Sequence, residues 1–208
     1  MQLNGLTTNR AARAAIILAV LALAMLPAAP ASAHPIGNGA GGFAAGFLHP
    51  LSGLDHLLAM VSVGIWGVEL GAPALWLLPI AFPLVMAVGG ALGFLGVLLP
   101  GGELLVALSV LVLGACVVYG RRVPLAVALA VVGVFAFAHG HAHGTELPEA
   151  ADPLAFTIGF VGATGLLHVT GIGIGLLGRF PNGALAIRAC GVLIALTGCY
   201  FVYSHAGV

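Results

Sequence analysis

The chain has 208 residues, 61% of them hydrophobic and only 6% charged, with no lysine and no net charge. A soluble globular domain carries about 25% charged residues, so that class is excluded, and there is no basic patch of the kind nucleic acid requires. The three cysteines, Cys116, Cys190 and Cys199, all lie inside apolar runs without paired spacing, so they indicate neither a disulfide framework nor a cysteine-based zinc site and read as small packing residues.

Residues 1–33 read as a secretory signal peptide. Arg10 and Arg13 form a positive start, residues 15–26 an apolar stretch too short to span comfortably, and Ala31-Ser32-Ala33 a small-x-small cleavage site after the breakers Pro27 and Pro30. Cleavage after Ala33 makes His34 the new N-terminus, where the α-amine and the imidazole together can chelate a metal. Pro35 has no amide N–H, so the next backbone nitrogen cannot join them.

A bilayer core takes about 20 apolar residues in a helix, and residues 34–208 offer six such stretches. They run over 48–70, between Pro73 and Pro100 with kinks expected at Pro79 and Pro83, over 103–119, over 124–138, over 153–177 and over 183–204. The fourth is short unless the His-rich segment after it extends the helix. The fold class expected is an all-α membrane protein: a six-transmembrane-helix bundle following a cleaved signal peptide, without a soluble domain.

A cleaved signal places the mature N-terminus outside. Counting spans from there puts Arg121-Arg122 and Arg179 on the cytoplasmic side, in agreement with the positive-inside rule, and leaves Arg188 close enough to that face to snorkel. The His-rich loop 139–152 and the C-terminus, including His205, then fall outside. The protein is expected to be a multi-pass inner-membrane protein with both mature ends periplasmic and the lipid bilayer as its surroundings. Gly89, Gly90 and Gly93 in the second span, and Gly171 and Gly175 in the fifth, have the spacing that lets helices approach closely in lipid. Thinning of a translocation path is the second use such glycines can have.

Two clusters carry chemistry. His49, Asp55 and His56 stand within eight residues at the mouth of the first span. On a straight helix two residues seven apart share a face but sit about 10.5 Å apart along the axis, too far for one ion with metal–nitrogen bonds near 2 Å. Pro50 and Gly53 lie between them and predict a bend that brings His49 back toward the other two. The second cluster is His139-Gly140-His141-Ala142-His143-Gly144-Thr145-Glu146. His139 and His143 are one helical turn apart, a common two-histidine grip, and Glu146 follows from the same face. His141 points elsewhere. Both clusters fall on the same outer side. Ionisable groups inside a membrane are costly and functional by default. His168, inside the fifth span, is a ligand or path residue further down. Glu103 reads as an interfacial carboxylate and His205 as solvated.

The run His49-Pro-Leu-Ser-Gly-Leu-Asp55-His56 resembles the H-x5-D-H motif of the HupE/UreJ nickel permeases, and residues 139–146 resemble that family's H-G-x-A-H-G-x-E motif. A mature start at His34-Pro35 fits the same pattern, and the resemblance covers essentially the whole mature chain. The one departure is Ala138, where the family carries Phe, with Phe137 one position earlier. The five-residue gap separates the chain from the larger nickel/cobalt transporters with H-x4-D-H. The resemblance implies a permease carrying Ni²⁺ or Co²⁺ toward hydrogenase or urease maturation.

The function expected is therefore a secondary transporter or facilitator, not an enzyme and without a resident cofactor. The divalent ion is its substrate, with His34, His49, Asp55, His56, His139, His143, Glu146 and His168 as metal-binding residues. Imidazole and carboxylate ligands suit Ni²⁺ and Co²⁺ without excluding Zn²⁺ or Cu²⁺. The rival readings are an intramembrane metal-dependent hydrolase and a metal-binding membrane accessory protein that does not transport.

Overall fold

The computed structural model describes residues 41–120, 123–145 and 152–205. The signal segment, His34, Arg121-Arg122 and Glu146 lie outside the described residues. Seven α-helices make up the described chain: α1 (Gly41–Ser52), α2 (Leu54–Leu70), α3 (Ala74–Phe94), α4 (Gly102–Tyr119), α5 (Leu125–Thr145), α6 (Pro153–Leu176) and α7 (Gly183–His205), with a 3-10 turn at Leu177–Arg179. Helices are the expected outcome for such long apolar runs, because a helix satisfies its own backbone groups where no water can. The five helices α3 to α7 are each long and apolar enough to cross a membrane, and the bent pair α1–α2 makes a sixth crossing if it counts as one span.

Successive helices from α2 onward run in alternating directions and sort the polar residues to two ends. His56, the C-terminal end of α5 and the N-terminal ends of α4 and α6 share one end, where His205 Nε2 of α7 stands 4.0 Å from Glu103 Oε2 of α4. Glu69, Arg179 and Arg188 lie at the other. Asp152 caps α6, its carboxylate accepting from the amides of Leu154 and Ala155 at 3.0 and 3.2 Å, with Pro153 at the first helical position, where no amide donor is needed.

α2 is the centre of the bundle. Every residue from Leu57 to Gly67 is buried, as expected of a helix that is apolar on all sides and packed on all sides. Around it the outer helices pair through glycine. An added Cβ on Gly140 or Gly144 of α5 would overlap the carbonyl oxygen of Met86 or Gly90 of α3, and one on Gly89 or Gly93 of α3 would overlap that of Phe137 or His141. Gly46 and Gly159 do the same between α1 and α6 and Gly64 and Gly171 between α2 and α6, while Gly191 and Gly198 of α7 meet the Val118 and Leu111 backbone nitrogens of α4. These glycines bring backbones together, the packing use expected of such spacing.

Two expectations need correction. The first span does not begin as one helix at residue 48. α1 already starts at Gly41, and the chain breaks at Gly53, where α1 and α2 meet at 78°. Pro50 stays inside α1, so the bend is the work of Gly53. The segment 139–145 extends the fourth span as the last two turns of α5, the continuation its shortness left open, and so does not belong to the outer loop 139–152. Its polar look in sequence hides the fact that its glycines face α3, and His139 and His143 the interior. α3 runs through Pro79 and Pro83 without interruption.

Candidate metal site

The break at Gly53 sets up the site. Gly53 has ordinary extended dihedrals, φ −86° and ψ 113°, so its backbone alone does not demand glycine. Space does: an added Cβ would stand 2.8 Å from His56 Nδ1 and 2.9 Å from Asp55 Oδ1. Asp55 and His56 therefore close on each other across the hydrogen of Gly53. Asp55 Oδ1 accepts the His56 backbone N–H at 2.8 Å and lies 2.5 Å from His56 Nδ1. A carboxylate on Nδ1 fixes the proton there and leaves Nε2 as a free lone pair, the orientation that metal-bound histidines take from a carboxylate partner. His56 Nε2 is buried and has no hydrogen-bond partner among the described residues.

α5 supplies the next two imidazoles. His139 and His143 stand one turn apart and both are buried. The His56 ring centroid lies 4.7 Å from that of His139 and 4.4 Å from that of His143. His49, in the last turn of α1, closes the group from the other side, 6.1 Å from His56 and 4.6 Å from His143. One ligand atom from each of His56, His139 and His143 falls within 4.8 Å of the others. With bonds of about 2.0–2.1 Å to one ion, small ring rotations close that spacing.

Ser109 of α4 settles which nitrogen of His139 is available. Its hydroxyl lies 2.6 Å from the Val106 carbonyl and 2.8 Å from His139 Nε2. The carbonyl can only accept, so the single hydroxyl proton goes there, and Ser109 accepts from His139 Nε2–H. His139 Nδ1 is left deprotonated, and it is buried without a partner. Neither ring nitrogen of His143 has a partner among the described residues either. Each such atom costs about 1–3 kcal/mol if nothing fills it. Several of them together, in one pocket of a few ångströms, make a site for an electron-pair acceptor.

The remaining residues divide cleanly. His141, on the other side of α5, is bound through Nε2 to the Val97 carbonyl at 2.5 Å and so ties down the loop between α3 and α4, away from the other histidines. His168 of α6 is buried but stands apart: the Phe82 ring lies between, 5.9 Å from His139 and 5.3 Å from His168. Phe156 and Phe160 of α6 wall the group on the side of His49 and His143, with Phe160 4.4 Å from His143. Sequence reading missed Ser109 and these aromatic walls. The only signal for Ser109 was a lone hydroxyl in an otherwise apolar run.

The profile of a family described as HupE / UreJ protein matches residues 20–201. The chain belongs to the HupE/UreJ family. A relative from Rhizobium leguminosarum bv. viciae, "Protein HupE", is 46% identical over 182 residues, covering 87% of this chain and 92% of that protein. No solved structure matches the chain. The two HupE/UreJ motifs, with His139 standing 83 positions after His56, thus come together in space: His49, Asp55 and His56 from the first motif face His139 and His143 from the second.

Proposed function

We propose that this chain is a secondary permease that carries Ni²⁺, or Co²⁺, across the bacterial inner membrane to supply hydrogenase or urease maturation. The observation that carries this reading is the convergence within 4.8 Å of His56, His139 and His143, the first half-buried and the other two buried, at one end of an apolar bundle. Family membership supports a metal-transporting role, and an imidazole set suits late first-row divalent ions.

The ion is captured by the three imidazoles with His49, and His34 and Glu146 add ligands from the flanking segments. Asp55 serves through His56, holding its ring and offsetting the ion's charge. His168 receives the ion deeper in the bundle. Because the carboxylate in contact with the imidazoles is committed to His56, it is not placed to activate water, which favours a carrier over a hydrolase. The Arg-bearing end faces the cytoplasm by the positive-inside rule. The His-bearing end and both mature termini face the periplasm, after cleavage of residues 1–33 and six crossings. The test is radioactive nickel uptake in cells expressing His56→Ala. Uptake is expected to fall to background, and wild-type uptake in that variant would refute the role given to the site.

A further inference from the structure

Threonines inside helices usually return their hydroxyl to a carbonyl of the preceding turn. Four of the five described threonines do so here. Thr145 donates to Ala142, Thr157 to Pro153, Thr170 to Leu166 and Thr197 to Leu193, at 2.7 to 3.0 Å. Thr164 does not. It is fully buried, in the middle of α6, and its Oγ1 has no hydrogen-bond partner among the described residues. The buried threonine, which has most to gain from that bond, is the one that does not make it.

Its neighbours explain what the hydroxyl is held out for. Phe160, Thr164 and His168 follow one another at four-residue spacing, about 6 Å per step along α6. Phe160 touches His143 of the outer site, so Thr164 lies one turn and His168 two turns further into the bundle. His168 is 1% exposed, and neither ring nitrogen has a partner at ordinary hydrogen-bond geometry. On α3 the Pro79 carbonyl stands about one turn before Phe82, whose ring centroid lies 5.3 Å from that of His168. That carbonyl is itself released by the sequence: its partner in a helix would be the amide of residue 83, and Pro83 has none. Two helices, α6 and α3, therefore contribute three uncommitted polar groups deeper in the bundle than the outer site, in a stretch where hydrocarbon surrounds it.

We propose that Thr164 Oγ1, the His168 imidazole and the Pro79 carbonyl form an inner station for the partly dehydrated divalent ion, separate from the outer imidazole site. The proposal rests on the permease reading and adds a second site to it. The two differ in chemistry. The outer site offers several imidazoles beside a carboxylate. The inner one offers a single imidazole and two neutral oxygens, a set that replaces water without holding the ion tightly. Conduction needs that order, with a firm capture site followed by one weak enough to leave.

The experiment uses purified full-length chain in proteoliposomes, with Ni²⁺ as probe, and compares wild type with Thr164→Val and Thr164→Ser. Three quantities are read: Ni²⁺ uptake, equilibrium Ni²⁺ binding and thermal unfolding. Valine keeps the shape and removes an unpaired buried hydroxyl, so Thr164→Val is expected to unfold at or above the wild-type temperature. It should bind Ni²⁺ at the outer site as wild type does, and yet lose uptake by about tenfold or more. Thr164→Ser restores the hydroxyl and should restore uptake. Wild-type uptake by Thr164→Val would overturn the inner station. So would a joint loss of stability and outer binding, which would make Thr164 a packing residue. Failure of wild-type liposomes to accumulate Ni²⁺ would instead refute the permease reading, and the inner station with it.

Discussion

Between α3 and α5, Gly140 and Gly144 press against the carbonyls of Met86 and Gly90; between α4 and α7, Gly191 and Gly198 press against the backbone of Val118 and Leu111. The residues one position before those glycines stand about 100° further round the helix. In α5 they are His139 and His143. In α7 they are Cys190, buried in the core, and Thr197, whose hydroxyl is returned to the Leu193 carbonyl. The glycines give both pairs the same close approach, so proximity of helices does not by itself make a site. What separates the two regions is the residue one step round, which the glycine contact aims at the interior at a fixed angle. The motif His-Gly-x-x-His-Gly thus couples a packing stripe to a stripe of inward-facing imidazoles.

The sharpest way to break this comparison is to add one methyl to each seam. Gly144→Ala and Gly198→Ala should both lower stability, by about 1–3 kcal/mol, because a Cβ meets backbone and the helices must part. Only Gly144→Ala should also weaken Ni²⁺ binding, since it displaces His143. Thermal unfolding beside equilibrium binding on both variants distinguishes them, and equal loss of binding in the two would show that the stripes are not coupled. A smaller effect is expected at Asp55→Asn. The amide keeps the size but loses the charge and the fixed orientation of His56, so Ni²⁺ affinity should drop about 10- to 100-fold without loss of fold. The smallest is Ser109→Ala. It removes one neutral hydrogen bond, about 0.5–1.5 kcal/mol, and frees the His139 ring to change tautomer. ¹⁵N chemical shifts of the His139 ring in the metal-free protein should then report a mixture in place of the Nε2–H form.

Much of the fold was legible because hydrocarbon imposes a simple rule on length and polarity. The expected stretches over 103–119, 153–177 and 183–204 agree with α4, α6 and α7 to within a residue or so at each end. The rule misleads where polar residues face inward. The His-Gly run reads as a loop by polarity, but glycine contacts with α3 carry α5 on to Thr145. α1 was hidden for a related reason: its glycines look like a linker, and Gly46 becomes informative only when it meets Phe156 of α6. At the site, the four residues His49, His56, His139 and His143 could be singled out as chemistry, and the bend was inferable from the axial distance between His49 and His56. The separation of His141 from its neighbours was legible from helical phase. Its bond to Val97, like that of Ser109 to His139, joins residues far apart in sequence and leaves no local trace.

The break at Gly53 also changes the electrostatics of the helix ends. A continuous helix through residues 49–56 would place no terminus beside the imidazoles. The broken chain ends α1 there, so a helix C-terminus brings about half a negative charge toward the imidazoles, where the proposed ion would sit. The same break starts α2 at Leu54, whose positive N-terminal end opposes the ion. Asp55, in the first turn of α2 and bonded to the His56 amide, cancels that opposition with a full charge. One glycine without a side chain thus turns a stretch of helix into a pair of dipole ends, and the neighbouring carboxylate neutralises the end that would oppose the proposed ion.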